Sequence, residues 1–214
     1  MATAAAKRTY GDRCGVARAL DTVGERWALL VVRELLLGPK RFTDLRAGLP
    51  HVGPDVLAQR LRELEGAGIV RRGTLAPPAA SKVYELTERG AELEPVVLAL
   101  GRWGSVAPFP PSADAQIGVD AFVIALKTLF VPDGAGDALF ELRLGDQSFR
   151  LAVADGRLDA ARGSADGADA TIEADPAVLA AVLWHGRSLD GADVTVTGSR
   201  RAAKRFLRLF PLPG

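Results

Sequence analysis

The sequence predicts two unlike domains in a chain of 214 residues: a mostly helical N-terminal domain with one β-hairpin, then an α+β domain. Three observations predict it. Apolar residues recur at helical spacing up to Leu64, then give way to strand-like runs at 69–75 and 82–87. The stretch WGSVAPFPPSADAQ, residues 103–116, has three prolines within four positions, and no helix continues through that. Beyond it, period-2 runs and helical runs follow one another to the C-terminus. The expected domains are residues 1–104 and 117–214, joined by a proline-rich linker at 105–116.

In the first domain, VARALDTVG (16–24) and ERWALLVVRELLLG (25–38) read as helices. The second is apolar almost all round and therefore central. FTDLRAGL (42–49) is a short helix with Phe42, Leu45 and Leu49 inward. GPDVLAQRLRELEGAGIV (53–70) supplies the next helix: Pro54 suits its first position, Leu57, Leu61 and Leu64 form its packing stripe, and Gly66 or Gly68 stops it. IVRRGTL and KVYELT are strands joined by APPAAS. A helix capped by Thr87 then runs to Trp103.

Composition narrows the function. Forty-eight per cent hydrophobic residues suffice for real cores, and no apolar run approaches the roughly 18 residues of a membrane span. The N-terminus lacks the apolar core of a signal peptide, and a single cysteine excludes an intrachain disulfide framework, so a reducing cytoplasm is expected. The net charge of +1 conceals an asymmetry: residues 1–104 carry 16 Lys/Arg against 12 Asp/Glu, and the remainder 11 against 14. The first half is the expected partner of a polyanion.

Three helices followed by a hairpin make a winged helix-turn-helix, whose third core helix enters the DNA major groove while the wing follows the backbone. Cys14, Trp27, RELLLGPKRF, LAQRLRELEGAGIV and LTERG occur in the order and spacing of a known family. Over residues 14–104 the chain closely resembles the HxlR family of bacterial transcription regulators. The resemblance implies a homodimer paired through its terminal helices on a pseudo-palindromic operator of double-stranded DNA. Its half-sites would lie about one DNA turn apart.

On the reading helix, Gly53, Asp55, Val56, Gln59 and Arg60 are the outward candidates. Gln59 suits adenine, and Arg60 suits guanine or a phosphate. Arg41 and Thr43 suit phosphates that set register, while Arg71, Arg72, Ser81 and Lys82 flank the wing and suit the backbone. The family usually carries serine and lysine where this chain has Gly53 and Asp55. An acid there fits the helix macrodipole, or accepts from a cytosine amino group.

Cys14 opens the first helix. In some relatives a cysteine at this point senses quinones or hypochlorite; the alternative is packing as a small hydrophobe. His51 and His185 have no second ligand at metal spacing, and no nucleophile–base grouping emerges. Neither a metal, a cofactor nor an enzymatic activity is expected.

In the second domain, IGVDAFVIALKTLFV is a helix, and ALFELRLG, QSFRLAVADG and RLDAARG are strands with a hairpin turn at Asp155-Gly156. ADATIEAD is a further strand, Pro176 opens a helix, DVTVTG is a short strand, and SRRAAKRFLRLF closes the chain behind its Ser199 cap. The run DATIEADP…VTGS…LRLF resembles the sterol carrier protein 2-like fold over 117–214. That resemblance implies a pocket for a hydrophobic small molecule, and Phe122, Leu126, Phe130, Phe140, Trp184 and Phe206 are its candidate lining. The whole reads as a ligand-responsive repressor. A lipid carrier, or a constitutive DNA binder with a structural C-terminal domain, are the alternatives.

Overall fold

The computed structural model describes residues 9–76, 80–106, 117–132, 136–191 and 193–213. It divides into two compact units, Met1–Leu93 and Glu94–Gly214.

The first unit contains α1 (Gly15–Val23), α2 (Ala28–Leu35), α3 (Phe42–Gly48), α4 (Pro54–Gly66), β1 (Val70–Thr74), β2 (Lys82–Leu86) and α5 (Glu88–Ala91). Val31 and Val32 of α2, Leu45 of α3 and Leu57, Leu61 and Leu64 of α4 are fully buried together, as their helical spacing requires. The hairpin pairs Val70 with Leu86 and Thr74 with Lys82, and a bridge from Lys40 to Tyr84 adds a short third member. Thr87 caps α5 by accepting from the Gly90 N–H, while its own hydroxyl donates to the Gly68 carbonyl at 2.7 Å.

Two helices differ from expectation. The helix expected from residue 25 starts at Ala28, because Trp27 adopts φ 77°, a left-handed conformation that ends one helix and cannot sit inside the next. The helix expected from Thr87 to Trp103 is two, α5 and α6 (Glu94–Gly104). Pro95 explains the break: its ring disfavours a continuous helix through the preceding turn but is tolerated in the first turn of a new one.

The second unit begins with α6. It continues with α7 (Val119–Leu129), β3 (Ala138–Leu144), β4 (Gln147–Ala154), β5 (Arg157–Arg162), β6 (Ala170–Ala174), α8 (Pro176–Trp184), β7 (Val194–Gly198) and α9 (Arg200–Arg208). The strand order is β5-β4-β3-β6-β7, with β3 and β6 parallel and the other neighbours antiparallel. This is the expected α+β arrangement with a mixed sheet. Asp155 and Gly156 both have positive φ, which matches the twist of the β4–β5 hairpin. Phe140, Leu142, Leu144, Phe149, Leu151, Ile172 and Ala174 alternate onto one buried face.

Although the sequence places residues 94–104 in the first domain, α6 packs on α7. Lys127 pairs with Glu94, and the Arg102 guanidinium donates to the Thr128 carbonyl at 2.8 Å. At Gly101 an added Cβ would lie 3.0 Å from the Thr128 side chain, so the two helices approach closely there. Most of the expected linker, residues 107–116, and the centre of the hairpin tip, residues 77–79, lie outside the described residues.

Candidate nucleic-acid interface

The α3–turn–α4 segment presents one polar edge. Gly53 is the N-cap of α4 with extended φ and ψ, Pro54 occupies the first turn, and Asp55 follows where the helix dipole favours an acid. Asp55, Val56 and Gln59 are exposed, while Leu57, Leu61 and Leu64 on the other side anchor the helix. Gln59 is not idle: its amide nitrogen donates to Glu63 at 2.9 Å.

Arg60 departs from the sequence reading. It is only 8% exposed, and its guanidinium pairs with Glu63 and, at 3.8 Å, with Glu25. The signal was present in the spacing. Residues 57, 60, 61 and 64 are i, i+3, i+4 and i+7, so Arg60 lies along the buried stripe of α4. It holds the helix in place and does not project from its outer edge.

Arg41 and Thr43 are exposed at the start of α3, where the Arg41 backbone N–H donates to the Asp44 carboxylate at 3.1 Å. In the wing, Arg72 stacks over Tyr84 at 5.8 Å and pairs with Glu65, Arg71 pairs with Glu85 at 2.9 Å, and Lys82 is exposed. Ser81 is half-buried beside the tip, its carbonyl accepting from the Leu75 N–H at 3.0 Å. The wing therefore carries cations held by acids on neighbouring strands and on α4.

Sequence reasoning passed over a buried pair behind this surface. Lys40 Nζ donates to Glu34 Oε2 at 2.5 Å, and Arg33 donates to the other Glu34 oxygen at 2.7 Å. Gly48 packs directly on the Glu34 carboxylate, where any Cβ would collide. The alternation of charge in RELLLGPKR carries no sign of which members meet.

Cys14 is exposed at the N-cap of α1, and its backbone N–H donates to Asp12 at 2.9 Å. Beside it lies an open groove of about 440 Å³ lined by Gly15, Arg18, Thr22, Ile69, Arg89 and Leu93. Among the described residues no group of acids, histidines or cysteine is arranged to hold a metal, and no helix is long and apolar enough to cross a membrane.

In the second unit the five aromatic residues among the six pocket candidates make ring contacts. Phe140 meets Phe206 at 5.1 Å, Phe122 meets Trp184 at 5.6 Å, and Phe206 and Phe130 both meet Phe210. Phe122, Leu126, Phe140 and Phe206 are fully buried, and the Trp184 indole donates to the Phe210 carbonyl at 3.0 Å. Phe210 is the member that sequence reasoning missed, although its place at the end of the apolar face of α9 marked it.

A core of packed helices, a turn into an exposed-edged α4 and a two-stranded wing together define a winged helix-turn-helix DNA-binding regulator. Residues 22–108 match the HxlR-like helix-turn-helix family, and the chain belongs to that family as an HxlR-type transcriptional regulator. It is 35% identical over 88 residues to the uncharacterized regulator YvaP of Bacillus subtilis, covering 41% of this chain and 82% of the relative. It is 36% identical over 85 residues to the regulator YodB of the same bacterium, covering 40% and 76%. Among solved structures, the redox regulator HypR in its oxidized form is 36% identical; the likeness covers 45% of this chain and all of HypR, with a TM-score of 0.40.

Proposed function

We propose that the chain is a homodimeric repressor that reads a pseudo-palindromic operator through α4 and releases it when a hydrophobic small molecule binds the second unit. The observation that carries the DNA reading is the division of α4. Its leucine stripe is fully buried, and its other edge offers Asp55, Val56 and Gln59 to a partner. Gln59 serves as the base reader, with Arg41, Thr43, Arg72, Ser81 and Lys82 on the backbone and Gly53 allowing close approach of the helix start.

Dimerisation is supported by apolar side chains left in the open on α1 of the first unit and, separately, on α6 of the second. Val16 and Leu20 of α1 are exposed, as are Val96, Leu100 and Trp103 of α6, the last at 75%. Each of these exposed apolar faces suits a second copy of the chain.

For the effector, the support is the resemblance of residues 117–214 to the sterol carrier protein 2-like fold together with the aromatic cluster under the sheet. A ligand shifts DNA affinity only if it binds the two states of the dimer unequally. A second input rests on the exposure of Cys14, whose thiol would be the target of an electrophile or oxidant. Gel-shift on the DNA upstream of the chain's own gene, repeated with apolar compounds and with a quinone, tests all of this. Release by apolar compounds in the Cys14→Ser variant supports the pocket. Release by quinone alone, lost in that variant, replaces the pocket with the thiol.

A further inference from the structure

Helix α9 carries five cations in nine residues, Arg200, Arg201, Lys204, Arg205 and Arg208, and no acid. At about 100° per residue all five fall on one side, and Ala203 and Phe206 on the other are fully buried. This arrangement opposes the helix's own stability. Arg200 and Arg201 sit in the first turn, where the macrodipole favours acids. Arg200–Lys204, Arg201–Arg205 and Lys204–Arg208 are like-charged pairs four residues apart.

The surroundings relieve only part of it. Arg200 pairs with Asp190, and Arg205 donates to the Gly136 and Asp137 carbonyls. Arg201, Lys204 and Arg208 are exposed, and among the described residues none of them forms an ion pair. These three span about 10 Å of helix on an otherwise acidic half of the chain.

We propose that Arg201, Lys204 and Arg208 form a second DNA-contacting surface, one that grips backbone phosphates without reading sequence. The proposal rests on the winged-helix reading, because that reading brings the chain to DNA. Charge complementarity favours a polyanion, and the burial of Phe206 and Ala203 favours DNA over a membrane. A helix that lies on lipid inserts its apolar face, and here that face is already occupied by the core.

The test uses the full chain and the triple variant Arg201→Gln, Lys204→Gln, Arg208→Gln. Binding to a long duplex of scrambled sequence is measured between about 50 and 200 mM salt. Loss of three phosphate contacts makes the slope of log K against log salt shallower by about 3 per chain. The preference for upstream over scrambled DNA stays unchanged, because phosphate contacts carry no sequence information. The variant melts no lower than the parent, since the removed charges repel one another. An unchanged slope overturns the proposal. So does an equal change per residue from Arg157→Gln, an exposed cation on β5, which would reduce the effect to net charge. Binding of the parent to phosphatidylserine vesicles, lost in the variant while the DNA slope holds, assigns the stripe to lipid and also overturns it. Failure of the parent to bind any DNA defeats the winged-helix reading itself, whereas a parent-like slope in the triple variant defeats this inference alone.

Discussion

Lys40 and Glu34 form an ion pair at 2.5 Å in which both side chains are more than nine-tenths buried. Glu34 belongs to α2 and Lys40 to the segment that bridges to Tyr84 of β2, so the pair fastens the wing to the helical core. Two buried charges are tolerated only while both are paired. Glu34→Leu removes the buried carboxylate that Lys40 and Arg33 both hold and is expected to cost about 3 kcal/mol or more. Lys40→Met costs less, because Arg33 still satisfies Glu34. Urea titration of the two variants checks the order, and the more damaging one also weakens DNA binding by loosening the wing.

The buried stripe of α4 separates two neighbours that look alike as sequence. Gln59→Ala is expected to leave stability nearly intact and to relax base preference at one position per half-site, by about 1–3 kcal/mol. Arg60→Ala is expected to lower the melting temperature, because it removes the partner of Glu63 and Glu25 from a buried position, with base preference retained. Parallel melting and binding-selection experiments on both variants distinguish a reader from a support.

That contrast shows how much of the molecule the sequence disclosed. The leucine stripe of α4, the Pro54 and Pro176 helix starts and the Asp155-Gly156 hairpin follow from local chemistry, and all are present. Partner choice among charges does not follow. Nothing local tells Arg60 to turn toward Glu25, or Lys40 toward Glu34, because those acids arrive from other elements. The departure of α6 from the first unit was equally hidden, since its partner α7 lies across the proline-rich stretch in sequence.

Asp55 stands exposed in the first turn of α4. If the helix start faces DNA, the carboxylate repels phosphates. Asp55→Lys is then expected to strengthen binding to any duplex and steepen the salt slope by about 1 per chain. Unchanged or weakened binding in the anisotropy titration would show that Asp55 does not sit near DNA at an electrostatic cost.

Glu141 lies buried on β3, where the Arg143 guanidinium and then the Ala165 N–H hold its carboxyl below the usual range despite the opposing effect of burial. A depressed folded value means that the unfolded chain takes up the proton first as pH falls. The stability it contributes is present above its unfolded value near 4.5 and is lost as pH drops through the folded one. Glu141→Gln should therefore be less stable than the parent at pH 7, and the difference should shrink below about pH 4. Thermal melts across that range provide the check.

The central claim is that α4 reads a twofold-symmetric site. Footprinting of the purified chain on its own upstream DNA tests it most directly. The account predicts a protected site with two half-sites about one helical turn apart, and Gln59→Ala weakening binding there more than on scrambled DNA. Protection with no symmetry, or equal affinity for scrambled duplex in parent and variant, would contradict it.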